Sequence, residues 1–373
     1  MNHNRCGAEM SPTIVGAGLV VLDVILRNGT KDPIFSAGGT CGNVLAGLSF
    51  LGWKSTVISR AGSDLTGRML LQDLSHDGVD TRFVTVEDSI RTPRIVERLN
   101  SNGRYASHRF LLNCPTCHAY LPRFRSPRLD FVASFCGTHK APKVYFFDKV
   151  TPATLRLARV YREAGALIFF EPSKLKLNDE MKEAVRLCHV LKYSSSQKTQ
   201  VVKAVEDSDK LGTAEPQEPR LTIQTMGDQG LSFRFIKSDQ WCHQKGFRIR
   251  RLYDPCGAGD WCTVGFLFRL QELALENNME LLDMLQFGSV VDSSLRFAQM
   301  LSSLSCVFVG ARGLSKSMDR TSVLNIVRMR LQDSADASAA AGSYLTKGEC
   351  GLARVWKKAD RSNICQTCLL PKG

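Results

Sequence analysis

The chain has 373 residues, of which 43% are hydrophobic and 23% charged, so it can bury one large core or two unequal ones. Its longest apolar run, "IVGAGLVVLDVIL", spans about 13 residues and contains Asp23, whereas a membrane span needs about 20 apolar residues. No membrane helix is expected. The N-terminus lacks the apolar core of a secretory signal, so we expect a cytoplasmic protein.

The formal charge of +13 suits anionic partners, but the basic residues are dispersed along the chain. The basic segments "LPRFRSPR" and "FRIRR" lie in neither a helix-turn-helix nor an aromatic RNA-binding pattern, which favours a solvated face over a nucleic-acid groove. Thirteen cysteines, an odd number without an export signal, favour reduced thiols or metal ligands over a disulfide framework.

Strand-like and helix-like segments alternate along most of the chain. In chain order they are the strand "TIVGAGLVVLDVIL", the helix "CGNVLAGLSFLG", the strand "STVISRAG", the helix "LTGRMLLQDLSHDG", the strand "KVYFFD", the Thr-capped helix "TPATLRLARVYREAG", the strand "ALIFFE", a helix from about Asn178, and the strands "HVLKYS" and "LTIQTMG". Continuous apolar strands separated by helices predict an α/β fold, with a doubly wound, mostly parallel sheet flanked by helices.

The stretch from about 79 to 115 alternates polar and apolar residues around the turn "NSNG", which is typical of antiparallel strands with one solvated face. These strands predict a small β lid, with lid strands at about 27–39 and 79–120. The acidic stretch 205–220 predicts a surface loop. We therefore expect one domain over 1–332, followed by a linker and a cysteine-containing tail over 333–373.

The segment "DPCGAGDWCTVGFL" places two glycines and a carboxylate before an apolar helix. If Gly257, Ala258 and Gly259 lie at the helix N-terminus, their backbone N–H groups and the helix dipole form a site for an anion. Asp260 would then accept a proton from a hydroxyl that attacks phosphorus. The alternative is that Asp260 only caps a closely packed helix.

With this segment, the chain resembles the ribokinase-like (PfkB-type) carbohydrate kinases, whose second signature is Asp-Thr-x-Gly-Ala-Gly-Asp. Residues 37–80 follow the first signature, with its Gly-Gly-x-x-x-Asn, Leu-Gly and Gly-x-Asp-x-x-Gly pattern. The segment "TMGDQG" is similar to the nucleotide-loop motif of the family. The resemblance covers residues 14 to about 330.

The resemblance implies an ATP-dependent kinase that acts on a hydroxyl of a sugar or nucleoside, with Mg²⁺ and a K⁺ ion near the anion hole. A homodimer formed through the lid is a further expectation. The site residues that the resemblance implies are the base Asp260 with the anion hole Gly257, Ala258 and Gly259, the substrate-binding Asp23, Gly38, Gly39 and Asn43, and the nucleotide-binding Thr225, Gly227 and Gly230. For Asp23, at the expected end of the first strand, the alternative is a turn residue.

One segment departs from the family pattern. Where the family has Asn-x-x-Glu before the nucleotide site, tied to Mg²⁺ and phosphate positioning, this chain has "KYSSSQ", with Ser194 and Gln197 in those places. Loss of the carboxylate should weaken or reroute Mg²⁺ binding, and Lys192 could supply positive charge instead. A catalytically weak or inactive sensor that binds a nucleotide or sugar on the same fold is therefore the alternative function.

Two Cys-x-x-Cys pairs, "CPTC" with Cys114 and Cys117 and "CQTC" with Cys365 and Cys368, offer thiolates at the spacing of zinc ligands. A shared structural Zn²⁺ would require the tail to fold back onto the lid. Independent reduced thiols or a redox pair are the alternatives, and the sequence also offers Cys350, His118, Cys136 and His139 as substitute ligands.

Overall fold

The computed structural model describes residues 11–29, 32–101, 106–173, 177–209, 219–236, 238, 240–333 and 365–370. The strands are β1 (Thr13–Ala17), β2 (Val21–Arg27), β3 (Ile34–Gly38), β4 (Lys54–Gly62), β5 (Val79–Asp80), β6 (Val84–Glu87), β7 (Arg94–Ser101), β8 (Ala106–Leu111), β9 (Val144–Phe147), β10 (Leu167–Phe170), β11 (Val190–Ser194), β12 (Leu221–Thr225), β13 (Leu231–Phe235) and β14 (Cys242–Gln244). The helices are α1 (Thr40–Phe50), α2 (Leu65–His76), α3 (Leu129–Thr138), α4 (Pro152–Glu163), α5 (Asp179–Leu187), α6 (Lys198–Asp209), α7 (Ala258–Glu276), α8 (Gly288–Ser305), α9 (Gly313–Ser317) and α10 (Arg320–Asp333).

The main sheet has the order β14-β13-β12-β11-β10-β9-β1-β4-β5, with β6 also paired to β4. Its strands are parallel from β12 to β5, and β13 and β14 add an antiparallel edge. Strands β3, β2, β7 and β8 form a separate four-stranded sheet, the lid. The predicted fold class is confirmed: a mostly parallel sheet flanked by helices, with a small β lid.

The two faces of the main sheet explain its continuous apolar strands. Ile14 and Phe146 pack into one core with α1, α7 and α8, whereas their neighbours Val15 and Tyr145 pack into a second core with α4 and α5. Successive strand residues point to opposite faces, so a strand covered on both faces must be apolar throughout. In the part of the chain that the structure describes, no helix is long and apolar enough to span a bilayer.

The first apolar run is two strands, which the prediction of a single strand missed. The chain leaves the main sheet after β1, where the N–H of Leu19 donates to Asp148 Oδ1 (2.7 Å) and the carbonyl of Leu19 accepts from the N–H of Gly42 (3.3 Å). It then enters the lid as β2. Asp23 therefore lies inside a lid strand. The predicted position, at the end of the first main-sheet strand, is wrong.

Two other boundaries differ from the prediction. Strands β5 and β6 pair in parallel with β4 and belong to the main sheet, so the predicted lid segment 79–120 begins too early. These strands alternate polar and apolar residues because they lie at a sheet edge. The acidic stretch 205–220 is helical at its start, since α6 continues to Asp209. The linker of the predicted tail domain lies outside the described residues.

Candidate active site

The centre of the site is the N-terminus of α7, a helix that is buried along most of its length. Gly257 precedes its first residue with φ +79°, a conformation that favours glycine. A Cβ on Gly257 would lie 2.6 Å from Ala311 Cα, so the space also admits only glycine. The N–H of Ala258 donates to the carbonyl of Pro255 (3.2 Å). N–H groups in the first turn of a helix have no partner within the helix, which is what the predicted anion hole requires.

Asp260 lies in the first turn of α7 and is held by the other signature segment. The side-chain Nδ2 of Asn43, on α1, donates to Asp260 Oδ2 at 2.7 Å. Asn43 Oδ1 is buried and has no partner among the described residues. The hydrogen bond orients the carboxylate, and the free amide oxygen leaves an acceptor beside it for a donor such as a substrate hydroxyl.

An ion pair between a buried lysine and a partly buried glutamate lies next to this carboxylate. Lys192 is 2% exposed; its Nζ contacts Glu171 Oε1 and donates to the carbonyl of Gly259 at 3.0 Å. The other oxygen of Glu171 accepts from Thr263 Oγ1 at 2.7 Å. Lys192 therefore places positive charge beside the first turn of α7.

Sequence reasoning missed Glu171. Its signal was present, because the residue directly follows β10 at the carboxyl end of a parallel strand, where doubly wound sheets bind their ligands. The segment was interpreted only as the end of a strand.

The surroundings shift the pKa of Asp260 upwards. Burial raises it most, and the nearby charge of Glu171 adds to the rise, whereas the Asn43 hydrogen bond and Lys192 oppose it; the resulting pKa is about 8. A carboxylate with this pKa can take a proton effectively near neutral pH. It must be ionised to do so.

A pH profile tests this electrostatic coupling. Turnover at low substrate (kcat/KM) should rise with pH through the pKa of Asp260, since only the ionised carboxylate accepts a proton. The variant Glu171→Gln removes the charge that raises this pKa, so the rising limb should move to lower pH. The profile of Glu276→Gln, which changes an exposed glutamate on the far part of α7, should stay unchanged. If the rising limb of the pH profile stays in place in Glu171→Gln, the electrostatic coupling between Glu171 and Asp260 is contradicted.

The lid supplies an acidic wall to the site. Asp23, on β2, lies directly against Gly38, because a Cβ on Gly38 would overlap Asp23 Oδ2. Glu97, on β7, is 1% exposed, and oxygens of Glu97 and Asp254 lie within 4.8 Å of each other and of a ring nitrogen of His108. Carboxylates in such a wall can accept hydrogen bonds from several hydroxyl groups.

Burial also dominates the pKa values of this wall. It raises the pKa of Asp23 to about 7 against the lowering effect of Arg312, and Asp254 adds to the rise. Burial, followed by the charges of Asp254 and Asp23, raises the pKa of Glu97 to about 8. Glu97 Oε1 has no hydrogen-bond partner in the described chain. Glu97 was not predicted, because "RIVERLN" alternates like any half-exposed strand.

Asp254 and Arg312 fix the loops around the anion hole. Asp254 accepts from the N–H groups of Cys256 (2.9 Å) and Gly310 (2.8 Å) and so joins the loop before α7 to the loop before α9. Arg312 is 2% exposed and donates to Ser36 Oγ (3.1 Å) on β3, the strand that ends at the predicted substrate-binding Gly38. It also pairs with Asp73 on α2. Arg312 was another residue that sequence reasoning missed.

The predicted nucleotide segment lies at the ends of neighbouring strands. Thr225 ends β12, and its register partner on β11 is Ser194. Gly227 begins a short turn, closed by Gly230, and a Cβ on Gly227 would meet nothing within 4 Å. The turn therefore borders open space. These residues and Lys192 lie along the same carboxyl edge of the sheet as the anion hole.

The substituted Gln197 has a structural role. Its Oε1 accepts from the N–H of Ser194 (3.2 Å), and its Nε2 donates to the carbonyl of Pro172 (2.9 Å). Both ends of the amide are thus occupied in capping the turn before α6. The residue supplies no carboxylate and no free oxygen for a metal ion at this place.

Comparison with known proteins identifies the family. Residues 27–312 match the family described as pfkB family carbohydrate kinase, so the chain belongs to that family. Fructokinase-1 of Zea mays is 24% identical over 304 residues, covering 75% of this chain and 86% of the relative. Among solved structures, ribokinase from Giardia lamblia has a TM-score of 0.67 at 15% identity, with 86% of this chain and 99% of that chain covered. A fructokinase double mutant from Vibrio cholerae, in a form with bound fructose, ADP and potassium, has a TM-score of 0.61 at 18% identity, with 84% and 98% covered.

The family membership confirms the predicted resemblance and the enzyme class. The chain is a phosphotransferase with an alcohol group as acceptor.

Proposed function

We propose that this protein is an ATP-dependent kinase that transfers the γ-phosphoryl group to a hydroxyl of a sugar or nucleoside. The observation that carries the proposal is the position of Asp260, which stands at the N-terminus of α7 and is oriented by Asn43. The proton acceptor Asp260 and the proposed anion site therefore lie within one turn of the same helix. Phosphoryl transfer to an alcohol needs this pair, because the acceptor loses a proton while charge builds on the phosphoryl oxygens.

Each of these groups has a specific role in the proposed phosphoryl transfer. Asp23 and Glu97 accept hydrogen bonds from hydroxyls of the substrate and fix its orientation. Asp260 takes the proton of the attacking hydroxyl. The N–H groups of Gly257, Ala258 and Gly259 stabilise the charge on the transferred group, and the nearby Lys192 adds to this stabilisation. The oxygen attacks in line with the bond to the leaving ADP.

The binding partners of a structural relative support this assignment. The Vibrio cholerae structure contains fructose and ADP together on the same fold. In the present chain, Gly38, Gly39 and Asn43 would hold the sugar side, and Thr225, Gly227, Gly230 and Ser194 the nucleotide side. The homodimer through the lid stays a prediction.

The site fits Mg²⁺ carried on the nucleotide better than a protein cage for the ion. Glu171 has a carboxylate near the proposed anion hole, with Oε1 3.8 Å from the position of a Cβ on Gly259, but its two oxygens already contact Lys192 and Thr263. Mg²⁺ keeps several waters and commonly binds through substrate phosphates. When bound, the ion would neutralise phosphate charge. Glu171 would reach it through water.

K⁺ activation is expected as part of this proposal. Asp254 ties the loop before α7 to the loop at Gly310, and backbone carbonyls of these two loops would hold the ion beside the anion hole. A cation there would add positive charge near the transferred phosphoryl group. Initial rates should be several-fold higher in KCl than in tetramethylammonium chloride at equal ionic strength. Equal rates in the two salts would contradict the K⁺ site.

A phosphotransfer screen tests the function. The purified chain is incubated with MgATP and a panel of sugars and nucleosides, and phosphorylated product is detected by mass spectrometry. We expect product with at least one member of the panel, which would also narrow the substrate. Saturable binding of ATP and a sugar without product would instead favour the sensor, for which the Gln197 substitution is the structural argument.

A further inference from the structure

Four cysteines from two distant segments of the chain meet on the lid. The sulfurs of Cys114, Cys117, Cys365 and Cys368 all lie within 4.8 Å of one another. The Cys114 and Cys365 sulfurs are 3.8 Å apart, and those of Cys117 and Cys368 are 3.6 Å apart. Three of the four side chains are buried, and Cys117 is exposed. The two Cys-x-x-Cys pairs are therefore one cluster.

The spacing of the sulfurs matches a metal site. With Zn–S bonds of about 2.3 Å, the corners of a tetrahedron are about 3.8 Å apart. A disulfide bond is much shorter, at about 2.05 Å. The separations of 3.8 Å and 3.6 Å agree with the tetrahedral edge.

The two pairs have the same local structure. In each, the residue after the second cysteine closes a turn onto the carbonyl of the first: His118 N–H to Cys114 O (2.9 Å) and Leu369 N–H to Cys365 O (2.8 Å). Both closing residues have positive φ, +59° and +58°, and Asn278 is the one other non-glycine residue with positive φ among those the structure describes. This conformation is costly without glycine and is retained where the surroundings demand it.

The threonines of the two turns also face each other, since the hydroxyls of Thr116 and Thr367 are 2.7 Å apart. The backbone N–H of Thr116 points at Cys114 Sγ (3.4 Å). An N–H that donates to sulfur stabilises a thiolate. A Cys-x-x-Cys turn of this kind is called a zinc knuckle. The two knuckles match in structure, and their sulfurs are directed at a common centre.

We propose that these four cysteines bind one structural Zn²⁺ ion. Four thiolates fill the tetrahedral sphere and leave no open position, so the site is structural and not catalytic. On binding, each thiol releases its proton to solvent and its sulfur donates an electron pair to the metal. The resulting tetrathiolate centre carries two negative charges. The buried Arg94 guanidinium, which donates to the carbonyl of Cys368, partly offsets them.

The site fastens the tail to the face of the lid opposite the substrate. Cys365 and Cys368 pack in one apolar cluster with Val24 of β2 and Val96 of β7. Arg94, on β7, extends the contact to Asp64 Oδ2 (3.2 Å) at the N-terminus of α2. Residues 365–370 are therefore held by apolar contact and by the hydrogen bond from Arg94 to the carbonyl of Cys368, and the proposed metal would add a third attachment.

This position links the metal to the acidic wall. Val24 and Val96 are the chain neighbours of Asp23 and Glu97, and adjacent residues of a strand point to opposite faces. A tail that is fixed to one face of the lid should therefore restrict the motion of β2 and β7, which carry Asp23 and Glu97 on the opposite face. Loss of the metal should weaken substrate binding more than it weakens the chemical step.

Metal content of the full-length chain is the primary test. We expect about one equivalent of zinc per wild-type chain, and a Co²⁺-loaded chain with the absorption of a tetrahedral tetrathiolate site. The variants Cys117→Ser and Cys368→Ser should each lose the same single equivalent, whereas Cys242→Ser, at an exposed cysteine on β14, should keep it. A full equivalent with four-thiolate cobalt bands in either knuckle variant would overturn the proposal. So would a metal-free wild type whose cysteines react with a thiol reagent only after reduction, because that protein would contain disulfides.

Hydrogen exchange gives a second measurement on the wild-type chain, where no variant can misfold. Treatment with a strong chelator should speed exchange in β2 and β7 together with residues 365–370, and leave α7 unchanged. Unchanged lid exchange after complete zinc removal would refute the clamp. The companion kinetic test, a rise in KM for the sugar with little change in kcat, rests on the proposed kinase function. Metal content and exchange do not, so the two ideas can fail separately.

Discussion

Replacing Asp260 with Asn is expected to lower kcat by about 10²–10⁴-fold, the range typical for loss of a general base. The amide cannot take the proton of the attacking hydroxyl. Its oxygen can still accept the hydrogen bond from Asn43 Nδ2, which now spans 2.7 Å, so the geometry of the site should persist. Turnover is measured with a coupled ADP assay, and sugar binding by calorimetry should stay nearly unchanged.

The matched control is Asp179→Asn, which changes an exposed carboxylate at the start of α5. It should keep wild-type turnover. Near-normal kcat in Asp260→Asn would show that another group accepts the proton. A loss of sugar binding equal to the loss of turnover would instead indicate that Asp260 only positions the substrate.

The variant Lys192→Met is expected to lower kcat at neutral pH by about 10²-fold or more, the scale of losing one group that stabilises transition-state charge. Two effects act together. The proposed anion hole loses the positive charge that now lies 3.0 Å from the carbonyl of Gly259, and Glu171 is left without its cation. The unpaired Glu171 should then raise the pKa of Asp260 further above its value of about 8. If this second effect occurs, the rising limb of the pH profile should shift to higher pH.

A double variant separates the two effects. In Lys192→Met with Glu171→Gln no unpaired carboxylate remains, so the pH limb should return towards its original position or below it. If turnover at high pH stays low, Lys192 acts directly on the phosphoryl group; if turnover recovers, its part is to neutralise Glu171. Lys143→Met, at an exposed lysine paired with Glu280, is the control and should have no effect. Wild-type turnover in Lys192→Met would contradict both roles.

The segments that sequence reasoning located correctly are those in which one local run contains the physical requirement. Helix α7 could be predicted, because the glycines, Asp260 and the apolar run are contiguous. Helix α4 could also be predicted, because its sequence begins with the capping residue Thr151 followed by a proline. Apolar strands alternating with such helices were enough to predict the parallel sheet.

The parts that escaped prediction depend on distant residues. Arg312 reaches Asp73 across 239 positions, a distance over which neither periodicity nor spacing carries information. The division of the first apolar run into β1 and β2 depends on Asp148, which binds Leu19 from the end of another strand. Such contacts are set by packing of the whole chain and leave no local pattern.

The separation of 251 positions between Cys114 and Cys365 has a consequence for biosynthesis. During translation the first knuckle emerges with two ligands, and its partners follow only after the entire kinase domain has been made. Two thiolates alone hold an ion weakly, and closing so long a loop is entropically costly until the domain between them is compact. With the proposed zinc site, the lid would therefore be secured last, and a chain interrupted before residue 365 would have its catalytic helix but an unfastened lid.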